Sequence, residues 1–293
     1  MKTILLTGGS GFIGRNIQES YLSGKYNLIA PRHSELELMD EDAVNSFFKK
    51  NRIDIVLHAA AKPGHRNAKD PTQIFYTNTR IFFNLARNLD YFEKMIVTGS
   101  GAIYDMRHYQ PKMQEDYFDT HVPVDEHGLS CYVRGKYIEA SDRIIDLRIF
   151  GIFGKYEDYA IRFISNAICK AIFDLPISIK QNRKFDYIYI DDLMPVIDFF
   201  IQNKNKYKSY NVAPDNSIEL QELAEYVRII SKKNLPIHIA QEGMGREYSG
   251  SNIRLRSEMD SLSYTSINDA IERLYLWYSS NSSINRNLLM VDK

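Results

Sequence analysis

The chain has 293 residues, 44% hydrophobic and 25% charged, with 37 basic and 37 acidic side chains and a net charge of zero. This is enough for one large domain with an ample core, and zero net charge gives no bulk attraction to nucleic acid or an anionic membrane. The two cysteines, Cys131 and Cys169, lack metal-ligand spacing and argue against a disulfide framework or a zinc site, so no metal is expected. The chain opens directly on an apolar strand without leader features. No apolar run approaches the ~20 residues of a membrane span, so the expected location is cytoplasmic.

In chain order, Ile-, Val- and Leu-rich runs at 3–7, 27–30, 53–59, 95–98 and 145–150 read as buried parallel strands. Amphipathic helices are expected to start near residues 11, 41, 71 and 130. Later helices fall at 159–173, 193–203, 219–232 and 267–280, and strands at 186–190, 210–213 and 237–240. The alternation predicts an α/β fold, a doubly wound parallel sheet over residues 1–155. A smaller, mostly C-terminal α/β lobe for substrate follows over 156–280, with elements around 186–213 returning to the sheet. The polar tail 281–293 is expected to fray.

The first strand runs into Thr7-Gly8-Gly9-Ser10-Gly11-Phe12-Ile13-Gly14. In such a turn Gly8 allows the bend, Gly11 lets backbone approach a pyrophosphate, and Gly14 lets helix pack on strand. The free N–H groups and dipole of the following helix favour phosphate. The second strand ends in Ala30-Pro31-Arg32-His33-Ser34, where an acidic residue would bind a ribose 2′-hydroxyl. Cationic Arg32 and His33 suit a 2′-phosphate instead and point to NADP; NAD is the alternative, and a plain solvated turn is the competing account of the two side chains. Tyr132 and Lys136 are four apart, hence neighbours on one helix face. An ammonium beneath the phenol could lower its pKa by about 2–3 units, which requires roughly 3–4 kcal/mol.

With TGGSGFIG at 7–14, HAAA at 58–61, Asn78, Ser100 in TGSGAIYD and the Tyr132/Lys136 pair, the chain resembles the extended short-chain dehydrogenase/reductase family. Its character is nearest to GDP-fucose synthases and other nucleotide-sugar 4-ketoreductases. The resemblance implies a Rossmann sheet, with cofactor contacts from Gly8, Gly11, Phe12, Ile13, Gly14, Ala59, Ala60 and Ala61. It also implies Asp40 at the adenine and Asn78 as support for the active-site backbone. Tyr132 would donate the proton, Lys136 would hold the nicotinamide ribose, and Ser100 would bind the same substrate oxygen. Two acidic residues follow the serine in related dehydratases, whereas Gly101 and Ala102 stand here. The GDP-fucose synthases carry a cysteine at the position of Ala102 and a histidine near that of Arg162. Hydride chemistry alone remains.

On the substrate side the family's diphosphate-binding arginine position is Phe185, with Arg183 and Lys184 beside it as replacements. Arg254 and Arg256 form a second candidate clamp, which alternating charge on an exposed strand would explain equally well, and Ala102 lies against the sugar. Lys136 and Arg148 are only twelve positions apart, where relatives place roughly twice that, so the helix is expected to be shorter by about three turns. A homodimer through that helix is therefore in doubt. The resulting expectation is an NADP-dependent reductase of a 4-keto deoxy nucleotide-diphosphate sugar. The alternatives are an NAD-dependent 4-epimerase and, more remotely, a non-catalytic nucleotide-sensing protein.

Overall fold

Six parallel strands form the central sheet of the computed structural model: β1 (Thr3–Thr7), β2 (Asn27–Ile29), β3 (Ile55–His58), β4 (Lys94–Ser100), β5 (Ile144–Ile149) and β6 (Ser209–Val212). Their spatial order is β6-β5-β4-β3-β1-β2. The structure describes residues 1–65, 68–281 and 283–290. The helices are α1 (Phe12–Glu19), α2 (Glu41–Lys50), α3 (Ile74–Ala86), α4 (Glu126–Glu139), α5 (Phe163–Ile172), α6 (Leu193–Gln202), α7 (Leu220–Ser231), α8 (Ile253–Glu258) and α9 (Ile267–Ser279), besides shorter turns.

Successive strand residues point to opposite faces of the sheet, and both faces are apolar. Ile4, Leu6, Ile55, Leu57 and Ile96 join a core completed by α1, α5, α6, α7 and α9. Leu5, Val56, Met95 and Val97 join the opposite core, closed by α2, α3 and α4. The strand order reverses between β1 and β3, so the crevice at their carboxyl ends is where ligands bind in such sheets. The chain leaves those two ends as the glycine turn at 8–14 and as Ala59–Ala60–Ala61.

One strand breaks the apolar pattern. Asp146 and Arg148 of β5 are both buried on the face opposite Ile145, Leu147 and Ile149. Arg148 is fully enclosed: it meets Asp146 at 3.0 Å and Glu139 at 3.1 Å, and donates to the Tyr104 hydroxyl at 3.1 Å. The Phe118 ring lies 4.7 Å from its guanidinium carbon.

The structure corrects several expectations. Helix α4 begins at Glu126, four residues before the expected start, because the Asp125 carboxylate caps it by accepting from the Gly128 N–H at 2.8 Å. Residues Ile177–Gln181, not expected as a strand, pair in parallel with Ile237–Gln241. Arg254 and Arg256 sit on a helix, not on an extended segment. The tail does not simply fray: a turn at Arg286–Leu289 buries Leu289 in the main core, while residues 282 and 291–293 lie outside the described residues. Among the described residues no helix is long and apolar enough to cross a membrane.

Removing one partner from a buried ion pair leaves the other charge uncompensated, at a cost of about 3–5 kcal/mol. Arg148→Met is therefore expected to lower the free energy of urea unfolding by that order at neutral pH, with a lower midpoint at unchanged slope. An unchanged midpoint would contradict the role given to this network.

Candidate functional site

The strand–turn–helix at the start of the chain closes only around glycine. Gly8 has φ +73°, and a Cβ there would come within 2.7 Å of the Ala59 carbonyl and the Ala60 nitrogen. A Cβ on Gly14 would come within 2.2 Å of the Gly8 carbonyl oxygen, forcing α1 off the turn. Between this turn and residues 31–39 lies a cavity of about 230 Å³, lined by Gly8, Gly9, Ser10, His33, Met39, Ala60 and Ala61 among others. Buried Asn78 accepts from the Lys62 N–H at 2.7 Å and donates to its carbonyl at 3.2 Å, fixing the segment after β3. A narrow, glycine-walled crevice with a helix N-terminus fits a dinucleotide.

On the adenosine side, Asp40 and Arg32 of the expected cofactor set are placed differently. Asp40 does not line the cavity: its carboxylate caps α2 by accepting from the Ala43 N–H at 3.0 Å, so it is already engaged. Arg32 is exposed, off the cavity wall and in no ion pair among the described residues. His33 stands at the rim and pairs with Glu37 at 2.7 Å.

A second cavity, of about 450 Å³, starts at Phe12 and Ile13 and runs past Gly99, Ser100 and Ala102 into the C-terminal segments. Ser100 ends β4, and its hydroxyl accepts from the Ala102 N–H at 3.1 Å. From the opposite wall Tyr248 faces Ser100, its ring centre 5.0 Å from that of Tyr109, and burial pushes its pKa up to about 12. The Tyr248 backbone is held on both sides: its N–H donates to the Lys184 carbonyl and its own carbonyl accepts from the Asp186 N–H, both at 3.0 Å. Asp186 is in turn buried against Lys112 at 3.2 Å. Phe185 lies 4.8 Å from Tyr187 and 4.6 Å from Tyr248 between ring centres, making an aromatic wall. Arg162 and Arg183 line the same cleft, and among the described residues neither is in an ion pair.

Tyr132 and Lys136 are not part of this cleft. The Tyr132 hydroxyl donates to one oxygen of Asp119 and the Lys136 ammonium to the other at 2.7 Å, in the open. Lys136 lines a separate cavity with Glu115, Asp116, Glu139 and Arg254. The hydrogen bond to Asp119 raises the Tyr132 pKa, the reverse of the expected lowering. The reason is the helix start. A connection between parallel strands runs back from their carboxyl ends, so only the first turn of α4 stands level with Ser100. That turn carries His127. Tyr132 lies five residues on, about 7.5 Å further down the axis and about 140° around it.

The inward-facing pair four apart is thus His127 and Cys131. His127 lines the cleft, and buried Cys131 sits beneath it, Sγ 4.0 Å from His127 Nε2. Arg134, one turn on, donates to the Cys131 sulfur at 3.1 Å. Sequence reasoning missed His127, Tyr248 and the position of Arg162 in the cleft. The cap signal Asp125-Glu126 would have found the first.

Of the expected substrate cations only Arg183 reaches the cleft, together with Ala102. Lys184 is exposed opposite Glu219. Arg254 is committed to Asp116 and Glu115, and Arg256 to Asp215 at 2.7 Å.

A glycine turn at the switch point, opening into a cleft between sheet and C-terminal segments, defines a dinucleotide-binding α/β protein with a second ligand site. The sequence model of the NAD dependent epimerase/dehydratase family matches residues 4–213, and the chain belongs to that family, NAD(P)-dependent enzymes of the extended short-chain dehydrogenase/reductase type. It is 23% identical over 253 residues to GDP-L-colitose synthase of Yersinia pseudotuberculosis, covering 78% of this chain and 81% of that one. It is 25% identical over 281 residues to dTDP-4-dehydro-6-deoxyglucose reductase of Escherichia coli, covering 82% and 87%. Among solved structures, the GDP-6-OMe-4-keto-L-xylo-heptose reductase from C. jejuni superposes with TM-score 0.81 at 18% identity, covering 95% of this chain and 98% of that one.

Gly14→Ala places a methyl group inside the turn and is expected to weaken binding of reduced dinucleotide at least tenfold, about 1.4 kcal/mol. Titration of nicotinamide fluorescence measures this, and unaltered affinity would remove the turn from the cofactor site.

Proposed function

We propose that the protein uses NADPH to reduce the keto group of a 4-keto deoxysugar carried on a nucleoside diphosphate. The observation that carries this reading is the pair of guanidinium groups, Arg162 and Arg183, in no ion pair among the described residues, beside the aromatic wall in the cleft that contains Ser100. Planar forked donors suit a diphosphate better than a point charge does. The faces of Phe185 and Tyr187 suit a base or sugar ring. The residues that would hold the dinucleotide are Gly8, Ser10, Ala60 and the 31–39 segment at one end, and Phe12 and Ile13 at the other. When bound, reduced nicotinamide supplies a hydride. Ser100 then positions the carbonyl oxygen.

NADP is favoured over NAD by the state of Glu37. That carboxylate accepts from His33 and from the Met39 N–H at 2.8 Å, and so is not free for a ribose 2′-hydroxyl. Gly101 and Ala102 after Ser100 provide no carboxyl for eliminating water. The names of the colitose synthase and the deoxyglucose reductase point the same way, toward nucleotide-linked 6-deoxysugars.

The test follows nicotinamide absorbance with NADPH and NADH against 4-keto GDP-, CDP- and dTDP-6-deoxysugars. Consumption of NADPH with one of them is expected. No consumption with any overturns the reading, and net-neutral interconversion with retained NAD replaces it by epimerisation. Arg162→Ala and Arg183→Ala are each expected to raise KM roughly tenfold or more with little change in kcat, as loss of uniform binding does.

A further inference from the structure

Once Tyr132 and Lys136 are set aside, the cleft still needs a proton source for the oxygen that gains charge. Three side chains from separate parts of the chain converge there. Ser100 comes from the end of β4, Tyr248 from the C-terminal segments, and His127 from the first turn of α4. Tyr248 faces Ser100 in the cleft, but burial holds its phenol up to about 12. His127 differs in having a thiol directly below it that a guanidinium also touches. Cys131 Sγ lies 4.0 Å from Nε2, and the Arg134 guanidinium touches the same sulfur from the far side.

The geometry points to His127 as the group that protonates the substrate carbonyl oxygen, with Ser100 and Tyr248 holding that oxygen and Cys131 acting through the imidazole as a positioning residue. The inference rests on the reductase reading. As the carbonyl carbon accepts hydride, the C=O π pair moves to oxygen and takes the proton from the imidazolium. The sugar is reduced by two electrons, the nicotinamide is left oxidised, and neutral His127 recovers its proton from water. Electrostatics agree with the geometry. Burial raises the Cys131 thiol, but Arg134 and His127 outweigh it and the net shift is down, while Cys131 in turn raises His127. The other groups facing the imidazole are Asp125 at the helix cap and, across the cleft, Tyr248, Glu157, Arg162 and Arg183.

Two measurements test this. In the unliganded protein the His127 imidazole resonance, identified by its loss in His127→Asn, is expected to titrate above the ordinary histidine value of about 6.5 and to move down in Cys131→Ala. Titration at or below that value, unmoved by Cys131→Ala, overturns the assignment. In turnover, His127→Asn and His127→Gln are expected to lower kcat about a hundredfold or more while binding reduced dinucleotide as wild type does. A raised histidine is protonated below its pKa, so wild-type kcat/KM should fall as pH rises through that value, and this limb should vanish in the variants. Tyr132→Phe and Lys136→Met should retain the wild-type rate within about twofold, as changes outside the reacting geometry do. An active wild type whose His127 variants keep full rate and the alkaline limb overturns this assignment alone. A wild type inert to the whole panel overturns the reductase reading and the assignment with it.

Discussion

The hydrogen bond from the Gly128 N–H to the Asp125 carboxylate decides more of this molecule's chemistry than any group in the cleft. A helix gives every residue a level and an angle, about 1.5 Å and about 100° per position. Fixing the first residue therefore fixes which side chains stand at the ligand-binding edge of the sheet. With the cap at Asp125, His127 stands at that edge and Tyr132 is directed toward Asp119. The familiar spacing of a tyrosine and a lysine four apart survives one and a half turns too deep, where it forms a surface cluster.

The sheet was legible because its physics is local and periodic. Alternation along Ile4-Leu5-Leu6 and Ile55-Val56-Leu57 feeds two opposite apolar cores, and no other arrangement hides both faces. The glycine turn was legible for a related reason: Gly14 is specified by the Gly8 backbone six positions away, and the positive φ of Gly8 by the turn itself. The cleft was not. A four-residue spacing states that two side chains are neighbours without stating what they face. Charges at 254 and 256 fit a strand or a short helix equally well, and only Asp116, Asp215 and their surroundings decide. Tyr248 meets Ser100 through tertiary packing, held by Lys184 and Asp186, and no short-range pattern announces that.

The arginines show how the fold separates stability from recognition. Arg148 is enclosed with two carboxylates and a hydroxyl, so its charge is balanced where water cannot reach it. Arg162 and Arg183 face the cleft, and among the described residues neither is in an ion pair. These two groups are the ones the proposed diphosphate would meet, with Glu157 as the carboxylate in the same cleft.

Gly101 carries a consequence for descent. A Cβ there would stand 2.8 Å from the Tyr248 hydroxyl and 3.0 Å from the Phe150 ring. An acidic side chain beside the serine, such as related dehydratases use, therefore has no room while those rings remain. The Tyr248 and Phe150 rings would have to give way before a carboxylate could stand there. Two positions far apart in the chain, 101 and 248, can therefore change only together.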